Sequence, residues 1–221
     1  MYGCLRGSLP TLREAQKHTD KWPWFYADNG YFKAGKTEES FFRVTRNGLQ
    51  HDGRGENPDL SRWCALGLNL WPWRRRGEYV IVCPPSRLFA SLMGFSADKW
   101  LEVVVARIKS ATKRPIRVRM KMSWHEVKMA RIPPLAEELP NAWALVTHSS
   151  NAAVEALVAG IPVFCTDPCA AAVMGKRDVL EIESPAYPAD RERWAAVLAN
   201  NQWTLPEMRD GTCWRMLKGE A

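Results

Sequence analysis

The turn Thr147-His148-Ser149-Ser150-Asn151 places hydroxyl, imidazole and amide side chains just ahead of a carboxylate, Glu155. At the entry to a helix, the amides of such a turn stabilise an anion through unpaired N–H groups and the helix dipole. A carboxylate about one turn into the helix opposes that anion somewhat. It accepts hydrogen bonds, however, from the paired hydroxyls of a ribose beside a phosphate. The plainer alternative is a Glu155 that only stabilises its own helix. The chemistry these residues suit is the binding of a phosphorylated nucleoside.

The elements that must position them are legible on either side. Trp143, Ala144, Leu145, Val146 and Thr147 form a short apolar or β-favouring run, and the polar cluster after it marks the run as a buried strand. Ser149 or Ser150 supplies an N-cap, and Ala152, Ala153, Ala156, Leu157 and Ala159 give a helix with a small-residue face. Gly160 ends it, and Ile161 to Cys165 begins a second buried strand. The unit is strand, polar turn, helix, glycine stop, strand.

The run S-S-N-A-A-V-E-A-L-V-A-G-I-P-V-F, Ser149 to Phe164, resembles the donor-site segment of glycosyltransferases of the GT-B fold. Examples are the GlcNAc transferase of peptidoglycan synthesis and the Kdo transferases of capsule and lipopolysaccharide assembly. The resemblance is close over this segment and loose over the C-terminal half. It implies that the turn binds donor phosphate and that Glu155 binds the ribose of a nucleotide sugar. Relatives usually carry Gly in the turn, where this chain has Ser149, Ser150 and Asn151. Nucleotide-sugar epimerases share the fold and a similar Glu, so the motif specifies the ligand class better than the reaction. A second phrase, F-Y-A-D-N-G-Y-F followed by F-F-R-V-T-R-N-G, resembles small phage and bacterial proteins of the same type.

In chain order, Tyr2 to Leu5 predicts a strand, Arg6-Gly7-Ser8 a turn, Leu9 to His18 a helix, and Trp24 to Ala27 a second strand ending in the turn signal Asp28-Asn29-Gly30. Phe41 to Thr45 is strand-like, Asn47-Gly48 a turn, and Gln50 to Asp59 a polar loop. Trp63 to Trp73 shows little periodicity, and Arg74-Arg75-Arg76-Gly77 closes the segment as a basic hinge or a phosphate contact. Tyr79 to Cys83 is a clean apolar strand, and Ser96 caps a helix reaching Lys109. Ile116, Val118 and Met120 alternate with Arg117, Arg119 and Lys121 as a basic-faced strand. A helix from Trp124 to Arg131 stops at Pro133-Pro134. Beyond the central unit come a helix from Ala170, a strand around Val179 to Ile182, and helices from Ala189 to Ala199 and Pro206 to Leu217.

Strands alternating with helices predict an α/β fold, a doubly wound parallel sheet of Rossmann type with its ligand crevice at the strands' carboxyl ends. The lobe boundary falls at the Arg triplet: a reduced acceptor-side α/β lobe over 1–77 and a nucleotide-sugar-binding lobe over 78–221. Three loops converge on the crevice, Pro84 to Arg87, Arg119 to Ser123 and Thr147 to Asn151, and their equivalents in GT-B enzymes hold the donor. Donor binding is therefore expected of Ser86, Arg119, Lys121, Thr147, Ser149, Ser150, Asn151 and Glu155. A general base stands on the acceptor side. That favours Asp28 over His148, which lies in the donor turn.

At 221 residues and 46% apolar composition the chain buries a real core. A net charge of +7 favours polyanionic partners, namely nucleic acid, nucleotide phosphates or an acidic surface. The eleven Trp include Trp22, Trp24, Trp71 and Trp73 in Pro-interrupted segments, which points to surface indoles that stack on sugars or bases. Cys4, Cys64, Cys83, Cys165, Cys169 and Cys213 form no CxxC pair, and no secretory signal or membrane span is evident. Free thiols and a cytoplasmic location, in a bacterial cell or a phage-infected host, are expected. Cys165 and Cys169 lack two further nearby ligands for zinc, and no Asp-x-Asp is present to hold Mg²⁺ or Mn²⁺, so no metal is expected. The expected function is metal-independent sugar transfer from a nucleotide-sugar co-substrate, without a resident cofactor, to a hydroxyl acceptor that includes hydroxymethylated bases in DNA. The alternatives are a non-catalytic nucleotide-binding half-fold and an epimerase-like enzyme.

Overall fold

The structure, a computed structural model, describes residues 9–121 and 133–219. The expected strand Tyr2 to Leu5, the turn after it and the helix Trp124 to Arg131 lie outside the described residues. The chain divides into two compact units, Met1–Leu68 with Arg193–Ala221, and Asn69–Glu192.

The first unit begins with helix α1 (Leu9–Lys17), strands β1 (Phe25–Asn29) and β2 (Phe41–Arg46), and helix α2 (Leu60–Ala65). β1 and β2 are antiparallel, with Asp28 opposite Arg43. The connection 30–40 contains no helix, so it returns the chain alongside β1 instead of making the crossover that parallel pairing requires. Helix α2, where the sequence shows little periodicity, starts because Asp59 accepts a hydrogen bond from Ser61 N at 2.8 Å.

The second unit holds β3 (Tyr79–Cys83), α3 (Arg87–Leu92), α4 (Ala97–Ala111), β4 (Ile116–Val118), α5 (Leu135–Glu138), β5 (Ala142–Thr147), α6 (Ala152–Val158) and β6 (Val163–Cys165). The four strands are parallel in the order β4-β3-β5-β6. This is a Rossmann-like sheet flanked by helices, as the alternating pattern predicts. Val80, Val82, Ala144, Val146 and Phe164 form one core layer with Val104 and Ile108 of α4. Burial of these aliphatic side chains stabilises the unit by about 1.5–3 kcal/mol each for the larger ones. Ser96 caps α4 by accepting from Lys99 N at 3.3 Å.

Three expectations are corrected here. β4 ends at Val118, so Arg119 and Lys121 lie just past the strand, although Arg119 N still donates to Val82 O at 2.9 Å. Val179–Glu181 is a 3-10 turn and not a strand, because Asp178 caps it through Leu180 N at 2.9 Å. Val179 and Ile182 are nonetheless buried, which is the apolar signal that reads as a strand. The segment from Ala170 forms only a 3-10 turn, Ala172–Met174.

Helix α7 (Arg191–Ala199) leads to β7 (Gln202–Thr204), α8 (Leu205–Arg209) and α9 (Thr212–Lys218). β7 pairs antiparallel with β2, completing a small sheet in the order β1-β2-β7. Residues from Arg193 onward thus pack with the N-terminal elements, whereas the sequence reading grouped them with the nucleotide-binding lobe. The expected single helix Pro206 to Leu217 is split at Gly211, whose φ of +84° lies in the left-handed region.

Candidate functional site

In the order β4-β3-β5-β6, successive connections leave β3 to opposite sides, so the topological switch point lies between β3 and β5. Ligands of open α/β sheets bind outside the strands' carboxyl ends at such a point. There Cys83 lies opposite Thr147, and the Thr147 hydroxyl donates to Cys83 O at 2.6 Å. Thr147 is fully buried, so its hydroxyl fastens the two strand ends together.

The turn that follows is built from its own side chains. Ser150 N donates to Thr147 Oγ1 at 3.4 Å, and Ser150 Oγ accepts from Ala152 N at 3.3 Å. Asn151 occupies the N-cap position with helical backbone angles and no side-chain cap bond. Ser149 is buried, with its hydroxyl 3.0 Å from His148 Nδ1. The helix closes at Gly160 (φ +77°), where a Cβ would stand 2.1 Å from Pro72 O.

Glu155 projects from α6 with an exposed side chain that makes no hydrogen bond or ion pair among the described residues. Surrounding protein mass nevertheless raises its pKa above the ordinary carboxylate value, and Arg119 pulls it back down. Arg119 forms an ion pair with Glu138 at 3.1 Å and donates to Pro133 O at 2.9 Å. Burial pushes the Cys83 thiol to about 12, with Arg119 lowering it and Glu155 and Glu138 raising it. Arg119, Glu138, Glu155 and Cys83 therefore feel one another's charge at the carboxyl ends of β3 and β5.

His148 has another environment. Its ring stacks on Phe95 at 4.7 Å and meets Phe89 and Trp100 edge-on at 5.9 and 6.1 Å. Burial lowers its pKa, Asp167 raises it, and Arg177 lowers it. A neutral imidazole is favoured there. Trp100 also donates to Thr166 Oγ1 at 2.9 Å, and Asp167 N donates to His148 O at 3.2 Å.

The remaining expected residues are more dispersed in role. Ser86 caps α3, its hydroxyl accepting from Phe89 N at 3.2 Å. Lys121 is exposed. Asp28, in the first unit, accepts from Tyr26 Oη at 3.0 Å, Arg43 Nη2 at 3.1 Å and its neighbour Asn29 N at 2.8 Å. A cavity of about 320 Å³ in that unit is lined by Ala27, Gly35, Lys36, Phe42, Leu205 and Met208. Ala27 neighbours Asp28 along β1, so the cavity lies on the other face of the sheet from Asp28, and Lys36 is the one titratable side chain lining it. Among the described residues no three His, Cys, Asp or Glu side chains cluster to hold a metal, and no helix is long and apolar enough to cross a membrane.

Sequence reasoning missed Glu138 and the aromatic enclosure of His148. Glu138 gave no local signal, because its partner Arg119 is distant in sequence. Ser86 did give one: a Ser followed by Leu88, Phe89 and Leu92 is the start of a short amphipathic helix.

This geometry defines a Rossmann-like α/β protein. A solved structure, the β-Kdo 2,4 transferase KpsC of Thermosulfurimonas dismutans, matches it with a TM-score of 0.51 at 17% sequence identity. The match covers 89% of this chain and 77% of that one. No family model and no curated relative matches the sequence.

Proposed function

We propose that this chain transfers a sugar from a nucleotide-sugar donor to a hydroxyl acceptor. The observation that carries the proposal is Glu155, a carboxylate without a partner among the described residues, on the helix that follows the switch point and within electrostatic reach of Arg119. A ribose diol donates two hydrogen bonds that such a carboxylate accepts. Arg119, Lys121 and the amides of Thr147 to Asn151 neutralise donor phosphate, with Ser86, Ser149 and Ser150 at the margin. Stabilising the departing phosphate by cations and amides removes the need for a metal. Asp28 is assigned the acceptor's proton, since the aromatic rings around His148 leave it little open face.

The test is transfer and hydrolysis with UDP-, GDP-, CMP- and TDP-sugars, offered glycan, hydroxymethylated DNA or plain DNA, with and without a chelator. Turnover that survives chelation is expected, and reversible loss on chelation overturns the metal-free mechanism. A second reading, nucleotide binding without chemistry, is favoured by one observation: three donors already occupy Asp28. Measurable donor binding with no turnover selects it.

A further inference from the structure

The strap 71–76 runs along the amino ends of the parallel strands, at the opposite end of the sheet from Glu155. Its backbone is fixed at several points. Trp71 N donates to Val158 O at 2.9 Å and Arg74 N to Gly160 O at 2.8 Å. Arg191 Nη2 donates to Trp71 O at 2.7 Å while its guanidinium lies 3.9 Å from the Trp73 ring. Trp73 Nε1 donates to Pro188 O at 3.0 Å, and its ring meets Tyr187 edge-on at 5.5 Å.

On this fixed strap the side chains facing solvent are an indole and cations. Trp71 is 61% exposed. The Arg75 guanidinium lies over the Tyr187 ring at 4.5 Å, and Arg74, Arg75 and Arg76 are all exposed. No ion pair among the described residues ties any of the three to an acid, although Glu78 follows closely in sequence and Asp190 and Glu192 flank Arg191, which holds the strap. Three other arginines of this unit are tied to acids: Arg114 is bidentate with Glu183, Arg107 pairs with Asp178 and Arg119 with Glu138. An exposed Trp is ordinary when isolated. Here it stands on immobilised backbone beside three guanidinium groups without an ion pair among the described residues, Arg74 being held by Pro140 O at 3.1 Å, so much of the ordering cost of binding is met before a partner arrives.

We propose that this strap is a docking surface for single-stranded nucleic acid. Unstacked bases offer a face to Trp71, and the phosphates between them complement Arg75 and Arg76. A duplex hides its base faces and so meets the cations without the indole, whereas an acidic glycan, whose sugar faces also pack on indoles, is the competitor that the experiment must separate.

The experiment is fluorescence anisotropy of a labelled oligo-dT titrated with the full chain across a salt series. Trp71→Ala is expected to weaken binding about tenfold, and Trp71→Phe to restore part of it. The double variant Arg75→Ala, Arg76→Ala is expected to weaken binding and to flatten the logarithmic salt slope by about 0.7 per arginine removed. Melting temperatures of the variants should match the parent, because none of these side chains reaches the core. Equal affinity for Trp71→Ala overturns the proposal. So does competition by duplex DNA or an acidic polysaccharide at the same concentration of charge, since binding is then general to polyanions.

Discussion

Each unit carries an acidic side chain within reach of an arginine, on a strand in one and at the carboxyl ends of the strands in the other, and the two are used in opposite ways. On the antiparallel sheet, Asp28 accepts from Arg43, Tyr26 and Asn29, so its oxygens are engaged by the fold itself. On the parallel sheet, Arg119 is engaged by Glu138, while Glu155 is exposed and carries a raised pKa. A charge that the fold satisfies contributes to stability, and one left unsatisfied costs stability unless a ligand completes it. By that measure Glu155 has the character of a binding residue, and Asp28 must do its chemistry, if it does any, through an occupied carboxylate.

The most severe test of this contrast is Asp28→Asn. The amide oxygen still accepts from Asn29 N, but the NH2 that replaces Oδ2 no longer accepts from Tyr26 Oη or Arg43 Nη2, and the charge opposite Arg43 is lost. If Asp28 is the base, kcat falls at least about 100-fold with donor affinity unchanged. Retained turnover in this variant, together with a folded but inactive His148→Ala, reverses the two roles. Retained turnover in both removes the base from this pair altogether.

Arg119→Ala ranks next. Loss of a charge-assisted contact with phosphate should cost about 1.5–3 kcal/mol in the binding of a nucleoside phosphate and much less for the free nucleoside, measured by calorimetry. Because Arg119 also pairs with Glu138 and holds Pro133 O, the melting temperature should fall as well. Equal weakening of both ligands makes the residue structural.

Glu155→Gln sharpens the comparison most directly. A ribose contact predicts a loss of roughly 1–3 kcal/mol in nucleotide affinity. Stability should move the other way. The folded pKa of Glu155 is raised, so the native state binds more protons than the unfolded chain, and stability falls as pH rises from about 4.5 through that raised value. The amide removes this penalty, so the variant should melt at or above the parent at neutral pH and match it below pH 4.5. A variant that melts lower at neutral pH shows Glu155 to be a structural residue of its own helix.

The sequence carried the parts of this site that are local. Strand β5, the polar turn, α6 and its Gly160 stop all follow from residues within one short stretch, and Tyr79 to Cys83 reads as a buried strand because every residue in it is apolar. What escaped was set by partners far along the chain. β7 is too short to show a period and exists because β2 offers an open edge. The antiparallel pairing of β1 and β2, the ion pair of Arg119 with Glu138, and the rings around His148 arise from tertiary packing. The alternation of Arg117, Arg119 and Lys121 read as a basic strand face, yet Arg117 lies over Tyr79 at 3.5 Å and Arg119 pairs with Glu138.

The smallest effect concerns His148, which sits in the same turn as the residues proposed to bind the donor but on the side enclosed by Phe95, Phe89 and Trp100. Its folded pKa is depressed, chiefly by burial, so the native state binds fewer protons than the unfolded chain. The stability this provides is complete above about pH 6.5 and is lost as pH falls through the depressed value. His148→Phe preserves the stack on Phe95 and removes the titration. Urea unfolding at pH 7.5 and pH 5 should therefore show a larger acid loss in the parent than in the variant, while sugar transfer at pH 7.5 stays close to the parent's. Asp167, which opposes the depression, supplies the control: Asp167→Asn should steepen the acid loss in the parent background and do little once Phe stands at 148. If the parent and His148→Phe lose the same stability on acidification, His148 is not the buried neutral group that the packing describes. Its place in the turn would then count with Glu155 among the residues held open for a ligand.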